Sequence, residues 1–390
     1  MTELILLSVL VTGIGLYTWS VPQAGRSWWL LAGATAGLVL AAIAVSNSVR
    51  STGDSWTAAI LLDLAELAAV ALVWSGATDE CGRAARRYLG AIAPAIACTL
   101  IGAGLLQSGA PPAVEKLALC LLVFGFALKL AWIPLYFWLP DVAAHAPVMT
   151  TALIVSVVDI GTLTELAGLR ARAPRLFDDH AAVWTVVALL SMYGGVLLAL
   201  AQRELKRMLA FSTIGDVGLL VLGLAAGGAT GLSGASIGAL NHALSKVLLF
   251  GAVGLAERGL GRSVTLDTRG LAARLPVPAA VFVIGALGFI GVPPGFGFGA
   301  YWRIYLAAAN YGGPALLGAL LVVAVLDLFC YARAIHRTWL GPARDAVTGV
   351  PAPLASAALV ALAVLTIGLG LYPGVLTAVP GPLLALVTGR

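Results

Sequence analysis

Apolar stretches of about 20 residues recur from one end of the chain to the other, each long enough to cross a hydrocarbon core of roughly 30 Å. Twelve are read, near 3–19, 28–47, 55–76, 87–107, 117–138, 147–168, 182–201, 208–227, 233–256, 276–310, 314–332 and 354–376. Backbone polar groups in lipid must be satisfied within the segment, so these runs predict helices rather than open strands. The tenth is too long for one straight helix. It contains Gly291-Val-Pro-Pro-Gly-Phe-Gly-Phe-Gly299, which predicts two half-helices. Trp132-Ile133-Pro134 likewise interrupts the fifth run before Trp138-Leu139-Pro140. The predicted fold is all-α, a polytopic membrane protein of about 12 transmembrane helices.

The two breaks fall in matching places. If helices 2–6 form one unit and helices 7–11 another, each has five helices and the fourth is broken. Five is odd, so the second unit enters the membrane inverted, and inverted repeats with discontinuous helices are a common transporter plan. The expected divisions are an N-terminal transmembrane helix (1–27), a first inverted-repeat unit (28–170), a second (181–335), and a C-terminal transmembrane helix and tail (350–390).

Composition agrees with the hydropathy pattern. Of 390 residues, 60% are hydrophobic and only 11% charged, with mean hydropathy +0.99, too little charge to cover a soluble domain of this length. The net charge of +5 does not point to nucleic acid, because the basic residues sit in short loops between apolar runs. Odd-numbered loops hold fourteen Lys and Arg, among them Arg83, Arg86 and Arg87, against five in the even-numbered loops (Arg50, Lys116, Arg170, Arg172, Arg175). That asymmetry puts the odd loops in the cytoplasm and both termini outside, in a bacterial or archaeal cytoplasmic membrane. Counting 276–310 as two crossings would move Arg333, Arg337 and Arg344 to the wrong side. The N-terminus has neither a basic leader nor a convincing cleavage site, so the first apolar run is expected to be a retained helix. Four scattered cysteines show no metal or cluster spacing, and no flavin, nucleotide or haem motif appears, so no cofactor is expected.

Charges inside the spans carry the chemistry. Lys129, Lys246 and Arg303 are the basic ones; Asp63, Glu66, Asp159, Glu165, Asp216 and Asp327 are the acids. A charge at the bilayer centre costs at least about 2.5–3.5 kcal/mol on insertion scales, so it must be paired, hydrated or useful. Lys129 lies beside the break at Pro134, with Glu66 its best candidate partner and Asp63 on the same helical face. A lysine whose carboxylate partner approaches or withdraws can bind and release a proton, but the same pair serves as well as a static clasp between helices. His242 and Lys246, at i and i+4, share one face of the ninth span and suit either a proton relay or a polar helix interface. Arg303, Asp159 and Asp216 stand as singletons; Glu165 and Asp327 are placed near span ends, and Lys206 reads as a cytoplasmic anchor.

Four stretches resemble the antiporter-like membrane subunits shared by respiratory complex I, membrane-bound hydrogenases and Mrp-type cation/proton antiporters. They are Phe126-Ala-Leu-Lys129-Leu-Ala-Trp-Ile-Pro134-Leu-Tyr-Phe-Trp138-Leu-Pro140-Asp141, then Leu198 to Gly215 with Gln202-Arg-Glu-Leu-Lys206-Arg207, then Asn241-His242-Ala-Leu-Ser-Lys246-Val-Leu-Leu-Phe250 followed by Gly291-Val-Pro293-Pro294-Gly-Phe-Gly-Phe298. The likeness covers roughly residues 55–340. It implies a glutamate–lysine pair, Glu66 and Lys129, in the first unit, and Lys246 with His242 in the second. Family members usually have fourteen core helices, so the resemblance implies two fewer here, at the N-terminus. The chain departs from the family where Tyr136 stands for a frequent histidine, Asp159 for a lysine or histidine, and Tyr301, with Arg303 two residues on, for a lysine or glutamate.

The expected function is proton translocation, or cation/proton antiport with Na+ as the other ion, by one membrane subunit of an energy-converting oxidoreductase. Other membrane and peripheral subunits of a redox or antiporter complex would be its partners and supply the driving force, the chain having no catalytic centre of its own. A structural subunit that has lost transport, or the membrane partner of a bicarbonate or solute uptake complex, are the other readings.

Overall fold

The structure, a computed structural model, describes residues 2–20, 32–42, 55–76, 78–107, 111–342, 347 and 352–372. Arg26, Arg50 and Arg344, with the ends of the expected second and twelfth spans, lie outside them. In chain order the helices are α1 (Thr2–Ser20), α2 (Ala32–Ala42), α3 (Ser55–Trp74), α4 (Asp79–Gln107), α5 (Pro112–Lys129), α6 (Leu139–His145), α7 (Val148–Leu153), α8 (Asp159–Arg172) and α9 (Pro174–Asp178). They continue with α10 (Ala181–Ala201), α11 (Leu205–Ala226), α12 (Gly228–Leu260), α13 (Pro276–Ile290), α14 (Gly297–Ala334) and α15 (Pro353–Leu371). Among the described residues, eight helical segments are long and apolar enough to cross a membrane, with three shorter apolar helices beside them.

Burial sorts these helices into a centre and a surround. The apolar windows of α11 and α12 are wholly buried, and that of the joined α7–α8 segment is 94% buried. The windows of α3, α4, α10 and α15 are half buried or less, and side chains such as Ile60, Leu190, Leu197, Val325 and Val364 face outward. A helix apolar on all sides belongs inside, and outward-facing leucine and valine belong against lipid tails. Around α12 pack α11, α13 and α14, while α10 lies along α11 and α4 along α5.

Three local departures from the α-helix position the polar groups. The helix α5 stops at Lys129; Ala131 takes a left-handed φ of 52° and Pro134 has no N–H to continue the ladder. The chain resumes as α6 at Leu139. Similarly, α13 stops where Gly291 adopts φ 76°, and two prolines separate it from α14. Only glycine fits Gly291, since a Cβ there would also sit 2.5 Å from the Tyr301 ring. The third is a π-helical turn, Ile154–Val158, that joins α7 to α8.

The run from Gly297 to Trp339 is 43 residues, about 65 Å at 1.5 Å per residue and twice the thickness of a hydrocarbon core. Gly313 divides it, with φ 70° and ψ −169°, and Pro314 follows. The division falls between the expected spans 276–310 and 314–332.

Along α10 and α11 the backbones touch. A Cβ on Gly195 would lie 2.5 Å from the Gly215 nitrogen and 2.9 Å from the Phe211 carbonyl oxygen, so the small residue sets the helix separation. We expect Gly195→Val to destabilise the protein by about 1–3 kcal/mol. Gly90→Ala, where no heavy atom lies within 4 Å, should be neutral or slightly stabilising. Thermal unfolding of the two variants in the same detergent checks the difference.

Candidate functional site

The end of α5 presents Lys129 to three carboxylates at once. Its Nζ donates to Asp63 Oδ1 at 2.7 Å and to Glu165 Oε2 at 3.2 Å, and stands 3.4 Å from Glu66 Oε1. Asp63 and Glu66, three residues apart on α3, share the face turned to α5, and Glu165 reaches in from α8. The lysine side chain is fully buried. Thr162 donates to Glu66 Oε1 at 3.1 Å. Two carboxylate oxygens, Asp63 Oδ2 and Glu66 Oε2, are buried without a hydrogen-bond partner. Lysine in the last turn of α5 also faces the favourable end of the helix dipole.

The second lysine is surrounded differently. Lys246 on α12 is completely buried and donates to the Leu209 carbonyl at 3.0 Å and Ser212 Oγ at 2.8 Å, with its ammonium 3.9 Å from the centre of the Phe289 ring. Ser212 and the Tyr331 hydroxyl share a hydrogen bond of 2.8 Å. These are neutral partners and a cation–π contact, where Lys129 has anions.

One helical turn before Lys246, His242 is fixed at both ring nitrogens. Its Nε2 lies 3.0 Å from the Val155 carbonyl, on the π turn, and its Nδ1 lies 2.6 Å from Asp216 Oδ2. A carbonyl only accepts, so Nε2 carries a hydrogen. Two bare acceptors would repel at 2.6 Å, so a second proton lies between Nδ1 and Asp216. The pair is therefore imidazolium with aspartate, or imidazole with aspartic acid, and holds a proton that either partner can own. Neighbouring Asn241 donates to the Gly288 carbonyl at 3.0 Å and to the Tyr301 hydroxyl at 3.1 Å. Asp216, Tyr301, Tyr305 and Asp327 line a small cavity of about 20 Å³, space for about one water.

Asp159, the first residue of α8 and 4% exposed, has an electrostatic neighbour in each group, Glu66 in the first and Lys246 in the second. The π turn that precedes it is where the helix widens, a feature frequent at functional sites.

Several sequence expectations need correcting. The expected contact of Lys129 with Glu66 is present at 3.4 Å, and Asp63, on the same helical face, lies closer still at 2.7 Å. Glu165, expected near a span end, is a full member of the cluster, and Asp327 lines the cavity with Asp216 and Tyr301 instead of reaching the interface. Asp216, a singleton in sequence, is the partner of His242. Lys206 is 7% exposed, donating to the Ala144 carbonyl and pairing with Glu257 at 3.3 Å, so it ties α11 to α6 and α12 rather than anchoring in the headgroups. Arg303 turns back on its own helix, donating to the Gly299 carbonyl at 2.9 Å, and does not join the row.

A bundle of apolar helices enclosing titratable side chains, with two of its helices broken beside them, defines an integral membrane protein with a polar interior. The profile of the family described as NADH:quinone oxidoreductase/Mrp antiporter, transmembrane, matches residues 85–327, and the chain belongs to that family. NADH-quinone oxidoreductase subunit N of Desulforudis audaxviator is 32% identical over 327 residues, covering 79% of this chain and 64% of that protein. Subunit N of Acidithiobacillus ferrooxidans is 34% identical over 283 residues, 71% of this chain and 58% of that protein. The chain thus spans a little under two thirds of the length of these relatives. A chain in respiratory complex I from Thermus thermophilus with bound aureothin superposes with a TM-score of 0.77 at 26% identity, covering 97% of this chain and 86% of that one.

Charge balance around Lys129 ranks its variants. Three carboxylates face one ammonium, so the isosteric amide in Glu66→Gln leaves the lysine paired twice over. Lys129→Met leaves three acids in a dry interior with no cation. We expect Lys129→Met to lose about 3–5 kcal/mol and Glu66→Gln less than about 1 kcal/mol, read as midpoints of thermal unfolding in one detergent. Equal losses would contradict the ranking.

Proposed function

We propose that the chain moves protons across the membrane as one subunit of a multisubunit energy-converting oxidoreductase of the complex I or hydrogenase kind. The observation that carries this reading is the row of buried titratable groups, from Asp63, Glu66 and Lys129, through Asp159, to the His242–Asp216 pair and Lys246. Static packing would need one lysine and one acid; this interior keeps many more, each costly to dehydrate. A proton leaves Lys129 when a carboxylate partner lets go, passes Asp159, and reaches a histidine–aspartate pair that already shares one. Na+ in exchange for H+ is the variant of this function that the Mrp relationship supports.

Twelve crossings fit the same reading. Gly313 and Pro314 divide the long α14 run in two, and α13 with the first part of α14 makes one broken span beside α12. The break after α5 and the break after α13 support a pair of inverted five-helix units, each with a lysine close by, Lys129 in one and Lys246 in the other. Loop charges support both termini outside, with the partners' soluble subunits on the side of the odd loops. The driving force comes from those partners.

A structural subunit without transport is the competing reading, favoured by Tyr301 standing where a charge would close the row and by Arg303 turning away from it. Lys129→Arg separates the two. Guanidinium keeps the ion pairs but cannot give up its proton at physiological pH. In membrane vesicles holding the assembled complex, proton movement should fall at least tenfold while the amount of assembled complex stays unchanged. Wild-type proton movement in this variant would support the structural reading.

A further inference from the structure

Of the three carboxylates on Lys129, one also opens to a cavity. Glu165 lines a space of about 180 Å³ between the start of α3, the end of α4 and the end of α8, with Trp56, Thr99, Ala103, Gln107 and Arg172 among its walls. At about 30 Å³ each, this is room for roughly six waters. Glu165 is also the most exposed of the three, its side chain at 13% against 8% for Asp63 and 2% for Glu66. Neither of the other two lines the cavity.

The space continues outward. Arg172, two helical turns beyond Glu165 on α8, lines this cavity and a second one of about 410 Å³, which Glu115 and Arg175 also border. The Arg172 guanidinium folds back over Gly168, 3.1 Å from where a Cβ would stand, and Glu165 is its electrostatic partner. At the rim, Trp56 Nε1 donates to Gln107 Oε1 at 2.9 Å and ties α3 to α4. A fixed cation in the approach repels alkali ions, whereas a proton passed along water is not a body that must travel past it.

Resting on the proton-moving function above, we infer that Glu165 is the residue through which the Lys129 cluster exchanges protons with water. Access runs through the arginine-guarded cavity at the α3–α4–α8 end of the bundle, the outer face by the loop-charge assignment. Glu165 takes a proton from hydronium in the cavity on Oε1 or Oε2, leaving neutral water, and passes it to Lys129 when that lysine is an amine, its own negative charge then restored; the reverse step returns the proton to water as hydronium. Glu66 and Asp63 hold the ammonium and do not line this cavity.

Two measurements test the assignment. In membrane vesicles with the assembled complex, Ala103→Cys should react with a negatively charged, membrane-impermeant thiol reagent above the background of the four native cysteines, and from the Arg172 face alone. Modification should then depress proton movement several-fold. Glu165→Gln should depress it at least tenfold with assembly unchanged. A cysteine at 103 inert from both faces, or reactive without effect on proton movement, overturns the assignment. So does wild-type proton movement in Glu165→Gln when Lys129→Arg is inactive. If both of those variants move protons normally, it is the conduction reading itself that fails.

Discussion

One dehydrated ammonium held among three carboxylates organises the first half of this molecule. In oil, the cation could not stay without its anions, nor the anions without the cation. The contacts from Lys129 to Asp63, Glu66 and Glu165 therefore fasten α5 to α3 and α8. The break that ends α5 belongs to the same solution. Ending the helix at Lys129 puts the ammonium at the negative end of the helix dipole and leaves the following residues free to turn toward α6. Formal charge is not balanced, since acids outnumber the lysine. That imbalance lets one acid loosen its hold without stranding the cation.

The second half solves the same problem with neutral groups. Lys246 rests on a carbonyl, a hydroxyl and a ring face, and the carboxylate beside it is committed to histidine. The Val155 carbonyl decides where the His242 protons sit, because it occupies Nε2 and leaves Nδ1 to share with Asp216. That carbonyl comes from the π turn joining α7 to α8, the same junction that carries Asp159. A change of hydrogen bonding at this turn therefore touches both halves. Tyr301 closes the far end through Asn241, a hydroxyl in place of a charge.

Much of this was legible in the sequence, for a physical reason. Lys129, Glu66, Asp63, His242 and Lys246 interrupt runs of apolar residues, and a charge in such a run must have a partner or a task. Prolines and glycines after Lys129 and after Ile290 announce the breaks through their missing N–H groups and permitted left-handed φ. Less visible were the residues whose role depends on neighbours far along the chain. Glu165 and Asp327 were judged by distance from the ends of their spans, which does not reveal that Glu165 turns inward to α5 and Asp327 toward Asp216. Asp216 gains its meaning from a histidine on another helix. The depth of Lys206 is set by Glu257 and the Ala144 carbonyl, both supplied by other elements. A π turn leaves no periodicity to read, because one wide turn in a helix segment buried on nearly every side disturbs no amphipathic pattern.

The central claim is that Lys129 changes its protonation while the complex works. Nitrogen-15 magnetic resonance of the assembled complex in lipid, with labelled lysine and Lys129→Arg for assignment, reads the state of Nζ directly. The account requires an ammonium signal at rest and a distinct neutral-amine population at Lys129 during turnover. An ammonium signal that stays whole and unshifted under turnover would contradict it.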